Sequence, residues 1–223
     1  MTKTARSLLV TVGLYIGTAF LLTQQMEAQT LTIDSFDKEQ AATGNKHPHF
    51  VRSELGYDIY FVKATVEMSR VSAGLKDSTN KALRMHFDLP PYFGGNWASV
   101  HKDFHPALNL QGYQGLRLRL KIETPTEAAF LRITVCDMSK DTSTGDEMWW
   151  FDCPKELLTG MAGKWVSVQA PFDSFIESSG EGTRHNDGKL DLNRISAYEI
   201  NLISESKAEQ SGTILINNLR AYK

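Results

Sequence analysis

Between Leu116 and Ile122 the chain alternates without a break. Leu116, Leu118, Leu120 and Ile122 are apolar, and Arg117, Arg119 and Lys121 fill the gaps. Successive side chains of a strand point to opposite faces, so this stretch predicts a half-buried strand with one apolar and one cationic face. Burying each leucine or isoleucine contributes roughly 1.5–3 kcal/mol, which pins the register. The glycines of Gly112-Tyr113-Gln114-Gly115 mark the turn that leads into it.

The same grammar recurs along the chain. Leu31–Asp37 predicts a first short strand, and residues 38–49, polar with Gly44 and Pro48, a loop. Tyr57–Val71 is aromatic and β-branched and predicts one or two strands. Ala82–Leu89 sets Leu83, Met85, Phe87 and Leu89 against Arg84, His86 and Asp88, and Pro90-Pro91 ends it. Strands follow over Asn96–Val100, residues 115–123, Phe130–Asp137 and Glu147–Asp152. After them come Lys164–Gln169, a corner at Phe172–Phe175 and a loop at 177–189. A turn and strand within Leu192–Ser204 and a last strand over Thr213–Tyr222 complete the series. About ten to twelve short strands, regular turns and no long helical period predict an all-β fold, a β-sandwich of the jelly-roll kind.

Composition changes the picture at the beginning of the chain. Lys3 and Arg6, an apolar run from Leu8 to Leu22 and a polar stretch ending at Ala28 have the order of a secretory signal peptide. The run is shorter than the roughly 20 residues of a spanning helix. The expectation is a signal peptide over 1–28 and a single domain over 29–223. The product is then exported: periplasmic, on the outer surface or secreted, without stable membrane insertion. Net charge is −2 and scattered, with no basic tract for nucleic acid. Cys136 shares strand parity with Arg132 and Thr134, and Cys153 with Trp149 and Phe151, so two free or separately buried thiols are expected rather than a disulfide.

Five segments in order resemble the family 11 carbohydrate-binding module and its relative, the complex I intermediate-associated protein domain, both galactose-binding-like jelly rolls. They are Ile33-Asp34-Ser35-Phe36-Asp37; Asn96-Trp97; Leu110–Leu116 with its Tyr113 and Gly115; Lys164–Val168 with Pro171–Phe175; and Leu190–Ile195 with Ile214–Tyr222. Together they span residues 31–222.

The resemblance implies a non-catalytic binder of a glucan-like poly- or oligosaccharide on one sheet. Aromatic rings would stack on sugar faces while polar side chains bond the hydroxyls. The ligand-binding candidates are Trp97, Asp146, Trp149, Trp150, Arg184 and Asp187. Trp149 and Trp150 are adjacent, so one is expected to face the core and the other a cleft or a partner. Trp165 falls where the family packs a tryptophan. Asn96, Ser196 and Leu202 stand where glucan-binding members carry an aromatic residue, an aspartate and a tyrosine. The resemblance also implies a structural calcium, with Asp34, Asp37 and Asn217 as candidate ligands and an amide where the family offers a carboxylate.

Two other readings stay open. One is a protein-interaction or assembly module of the intermediate-associated type. The other is a jelly-roll glycoside hydrolase or lyase, for which Asp137, Asp146 and Asp152 flank one hairpin. Nucleophile-elbow, zinc-protease, phosphate-loop and dinucleotide motifs are absent. His101 and His105 lie about 13 Å apart on an extended chain, too far to share a metal. The cationic face of residues 117–121 reads either as a solvated outer face or as the floor of the cleft.

Overall fold

The computed structural model describes residues 29–36, 50–52, 58–62, 65–73, 81–89, 91, 96–125, 129–138, 146–160, 162–178, 188–204 and 208–223. Contacts divide the chain near Thr30, and Leu31–Lys223 form one compact unit.

That unit holds two antiparallel sheets. The first contains β1 (Thr30–Asp34), β4 (Thr65–Ser72), β5 (Lys81–Leu89), β7 (Gly115–Thr124), β10 (Trp165–Pro171) and β13 (Gln210–Tyr222). Its order is β10-β7-β13-β5-β4, with β1 also on β13. The second contains β2 (Phe50–Arg52), β3 (Asp58–Val62), β6 (Asn96–Leu108), β8 (Ala129–Asp137), β9 (Glu147–Asp152), β11 (Ile176–Glu177) and β12 (Ile195–Ser204). It runs β11-β9-β8-β12-β6-β3-β2. A short helix, α1 (Glu156–Gly160), and a 3-10 turn at Phe172–Ser174 lie outside the sheets. The fold is the all-β jelly-roll sandwich that the alternation predicts.

The core lies between the sheets. β7 gives it Leu116, Leu118, Leu120 and Ile122, and β5 gives Leu83, Met85, Phe87 and Leu89. β8 adds Leu131, Ile133 and Val135 from the other sheet, and β12 adds Tyr198, Ile200 and Leu202. Apolar side chains at every second position force this register, because a slip by one residue would bring Arg117, Arg119 and Lys121 inside. Gly112 closes the lead-in turn with φ +79°. Gly115 has no room for more: a Cβ there would lie 2.5 Å from the Ala170 carbonyl oxygen and 2.8 Å from Pro171 Cα.

The structure extends the expected elements at several points. β6 continues through His101 to Leu108, well past Val100. Its inward positions there are Lys102 and Phe104, so a half-buried charge interrupts the apolar alternation that marks a strand. The charge is matched, because Lys102 Nζ donates to the buried Asp34 at 2.9 Å, as does the Tyr198 hydroxyl. β2, β11 and α1 were not predicted, being too short for a period to show. Cys136 and Cys153 are both buried and free, as their parity predicts. Burial raises the Cys136 thiol well above its usual range, helped by the charges of Glu199, Asp146, Asp103 and Asp137. Burial, with a smaller push from Asp152, brings Cys153 up to about 12. Neither thiol ionises near neutral pH.

Candidate functional site

The outward face of the seven-stranded sheet carries side chains in rows that the strand register fixes. Trp97, Ile203 and Phe130 pair across β6, β12 and β8. The next row is Ser99, Asn201, Arg132 and Asp152, and the one after it His101, Glu199, Thr134 and Trp150, with Ile176 beyond on β11. Residues from five separate stretches of sequence thus meet on one face.

A shallow hollow of about 210 Å³ opens on these rows, between Trp97 on one side and Arg132 and Trp150 on the other. It is smaller than the ~300–1,000 Å³ of pockets that enclose drug-sized ligands, so it suits contact with part of an elongated one. Arg132 is fixed from two directions. Its Nε and Nη2 donate to the two Asp152 carboxylate oxygens at 2.5 and 2.8 Å. Its guanidinium carbon lies 4.2 Å from the Trp150 ring centroid and 5.6 Å from that of Phe130. A bidentate pair and a stacked plane remove most of the freedom of a long side chain, and Nη1 is left to donate to a ligand. Deeper down, Asn201 Nδ2 donates to Thr134 Oγ1 at 3.0 Å, which leaves the Asn201 carbonyl oxygen as an acceptor on the hollow's wall.

Beside this hollow stands His101. Its Nε2 is 2.9 Å from Asp103 and its Nδ1 3.0 Å from Glu199. Burial opposes a charged imidazole, but the two carboxylates outweigh it and hold the pKa up to about 9. His101 is therefore a cation at neutral pH, with both ring nitrogens donating. Glu199 also lines the first hollow. Asp103 lines a second one of about 520 Å³, with His105, Pro106, Met138, Asp146 and Ser196. The Glu199–His101–Asp103 bridge thus joins a residue of each hollow, and the two hollows follow one another along β6 as a discontinuous groove. From Trp97 to His105 the strand covers about 27 Å.

The sequence-derived candidates divide as follows. Trp97 and Trp150 line the first hollow together. Asp146 lies in the second, its carboxylate accepting from Ser196 Oγ at 2.5 Å. Trp149 faces the other way and belongs to the core, 7% exposed, with no hydrogen-bond partner on its indole N–H among the described residues. Arg184 and Asp187 lie outside the described residues. Trp165 is half-buried, packs against a small apolar cluster on the opposite sheet and donates to the Ala73 carbonyl at 3.0 Å. Leu202, where glucan-binding members carry tyrosine, is core. Sequence reasoning did not single out Arg132, Glu199 or Asn201, and it considered His101 only as a metal ligand. Parity placed the first three outward, and only the register brings all four to the tryptophans.

Asp34 and Asn217 do not fit a calcium ion as they stand. Asp34 is buried, and its carboxylate accepts from the Phe36 amide, the Tyr198 hydroxyl and the Lys102 ammonium, so a protein cation already holds the position a metal would take. Asn217 donates to the Lys81 carbonyl, and its own side-chain oxygen accepts from Asn218. Asp37 lies outside the described residues. No group of three or more His, Cys, Asp or Glu side chains suited to a metal occurs among the described residues.

No family model and no curated protein matches the chain. Solved structures do. The chain is similar to the family 11 carbohydrate-binding module from Clostridium thermocellum, solved in complex with a β-1,3-1,4-mixed-linked tetrasaccharide. The TM-score is 0.58 and the identity 16%, over 86% of this chain and 95% of that one. It is also similar to the family 11 module of the cellulosomal cellulase Lic26A-Cel5E of the same organism, with TM-score 0.55 and 18% identity over 82% of this chain and 96% of the other. At these identities the likeness establishes the shared jelly-roll fold.

Proposed function

We propose that the groove on the seven-stranded sheet binds a glucan-like poly- or oligosaccharide and performs no chemistry on it. The observation that carries this reading is the first hollow, where Trp97 and Trp150 stand beside an Arg132 locked by Asp152, within reach of Asn201 and Glu199. Pyranose rings present apolar C–H faces and a rim of hydroxyls. Rigid aromatic rings match the first, and fixed donors and acceptors match the second. The length of the groove along β6 and its shallow walls favour a linear chain lying across the sheet over a small enclosed ligand. The module solved with a mixed-linked tetrasaccharide supports the same reading by its fold.

Trp150 acts partly through its neighbour. One face of its ring is covered by the Arg132 guanidinium. A sugar therefore meets a composite surface of indole and guanidinium, and Trp97 supplies a second ring. Ser196, in the second hollow, stands where the resemblance puts an aspartate of the glucan-binding members, so a different glucan or a related neutral chain is the preferred ligand.

Affinity electrophoresis through gels that contain β-glucan, xylan, mannan or galactan tests the reading. At least one polysaccharide should retard the native protein and fail to retard Trp97→Ala. Equal mobility in all the gels would refute it.

A further inference from the structure

The outward face of the six-stranded sheet lies across the core from the groove. β7 presents Arg117, Arg119 and Lys121 on it, and β13 places Arg220 directly opposite Arg117. Like charges opposite one another on paired strands repel, so this arrangement costs stability in the free protein. No carboxylate among the described residues neutralises it. Arg117 lies with its guanidinium carbon 5.3 Å from the Tyr222 ring centroid, and Arg119 lies 5.2 Å from that of Trp165. Gln169, its amide oxygen turned to Arg117, accepts from Nε and Nη2 at 3.2 and 2.7 Å. Arg220 gives Nη2 to Asn218, and its Nε is buried without a hydrogen-bond partner among the described residues. None of these four cations has a carboxylate partner among the described residues. The carboxylates that β5, β7 and β13 carry on this face are already engaged: Glu123 accepts from Arg84 at 3.0 Å, and Asp88 lies 3.7 Å from His86.

We propose that this face is a second binding surface, for an acidic glycan: a polysaccharide that carries carboxylate or sulfate groups. Arg117, Arg119 and Lys121 form a row about 14 Å long, and Arg220 stands one strand away, about 5 Å to the side. A row of that kind matches successive anionic groups on an extended chain. Guanidinium forks pair with carboxylate and sulfate oxygens through parallel hydrogen bonds, and stacking on Tyr222 and Trp165 fixes the forks in advance. The same stacking argues against nucleic acid, because each ring has a face covered by its own arginine where a base would stack. The apolar side chains of this face argue against an acidic protein. Leu215 and Tyr222 are buried and Val71 and Trp165 are half-buried, so this face offers little apolar area to a protein partner. The assignment stands on different residues from the groove and holds whether or not the groove binds sugar.

Isothermal titration of the full chain with polygalacturonate and with dextran sulfate, at low and at physiological ionic strength, tests it. Neutral dextran, polyglutamate and single-stranded DNA serve as comparisons. At least one acidic polysaccharide should bind, more weakly as salt rises, and binding should fall about tenfold in the Arg119→Gln/Lys121→Gln double variant and stay unchanged in Trp97→Ala. Lys121→Gln alone removes no ring contact and should still weaken binding about threefold at low salt, which keeps the test decisive if the double variant folds poorly. The proposal is overturned if neither acidic polysaccharide binds, if Lys121→Gln binds as the native protein does, or if dextran, polyglutamate or DNA binds as tightly.

Discussion

Trp97 and Arg132 carry the sugar reading at the scale of single residues, and they should fail in different ways. Trp97 offers a ring to the ligand and supports little of the core. Trp97→Ala should therefore lower glycan affinity about thirtyfold or more, as truncation of a central aromatic anchor does, with an unchanged circular dichroism spectrum. Arg132 acts through its fork. Arg132→Lys keeps the charge but loses the bidentate bond to Asp152 and the stack on Trp150, so affinity should fall about tenfold by titration calorimetry. Trp149→Phe should leave affinity unchanged and lower the urea midpoint, because Trp149 fills the core. Period two predicted that Trp149 and Trp150 would face opposite ways. It did not say which faced in, because Glu147, on the Trp149 side, is buried despite its charge and blurs the apolar face. Arg132 was legible as outward. Its place beside Trp150 depends on the β8–β9 register, which joins Arg132 to Asp152 across a loop and has no local signature.

Among the elements, β7 was the most legible and β6 the least. β7 repeats four apolar side chains at strict spacing, and all four are core. Its lead-in is the tightest point of the sheet: a methyl at Gly115 would push against the β10 backbone. Gly115→Ala should cost about 1–3 kcal/mol by overpacking, read as a lower urea midpoint at unchanged m. β6 hides its second half because Lys102 points inward to Asp34 and His101 and Asp103 point outward to each other. A polar run of that composition reads as loop until the partner strands are known. The β12 bulge between Ile195 and Ala197 is equally silent in sequence, yet it separates Ser196, which lines the second hollow, from Glu199 and Asn201, which line the first.

For the whole molecule, the jelly roll gives two independent faces over one core, and the charge state of one residue on the groove couples to global stability. His101 is ordinarily half-titrated near pH 6.5 and is held to about 9 in the fold. A raised pKa stabilises the folded state fully below pH 6.5, and the contribution is lost as pH rises through about 9. The shift corresponds to about 3 kcal/mol. Urea unfolding of the native protein and of His101→Gln should therefore differ more at pH 6 than at pH 10. An equal difference at both values would contradict the ion-paired imidazole. Above pH 9 the neutral ring also leaves Asp103 and Glu199 without their shared cation, so glycan affinity should decline over the same range.

The central claim is that sugar lies on the face bearing Trp97 and Trp150. The chain has four tryptophans, and their indole N–H groups report on separate places. Trp97 and Trp150 line the groove, Trp149 is in the core, and Trp165 is bonded to Ala73 on the other sheet. The direct measurement is a nitrogen–proton correlation spectrum during titration with oligosaccharides of the polysaccharide that most retards the protein in affinity gels. The indole signals of Trp97 and Trp150 should shift with one saturating curve, while those of Trp149 and Trp165 stay in place. Shifts confined to Trp165, or no indole shift at saturating sugar, would contradict the account.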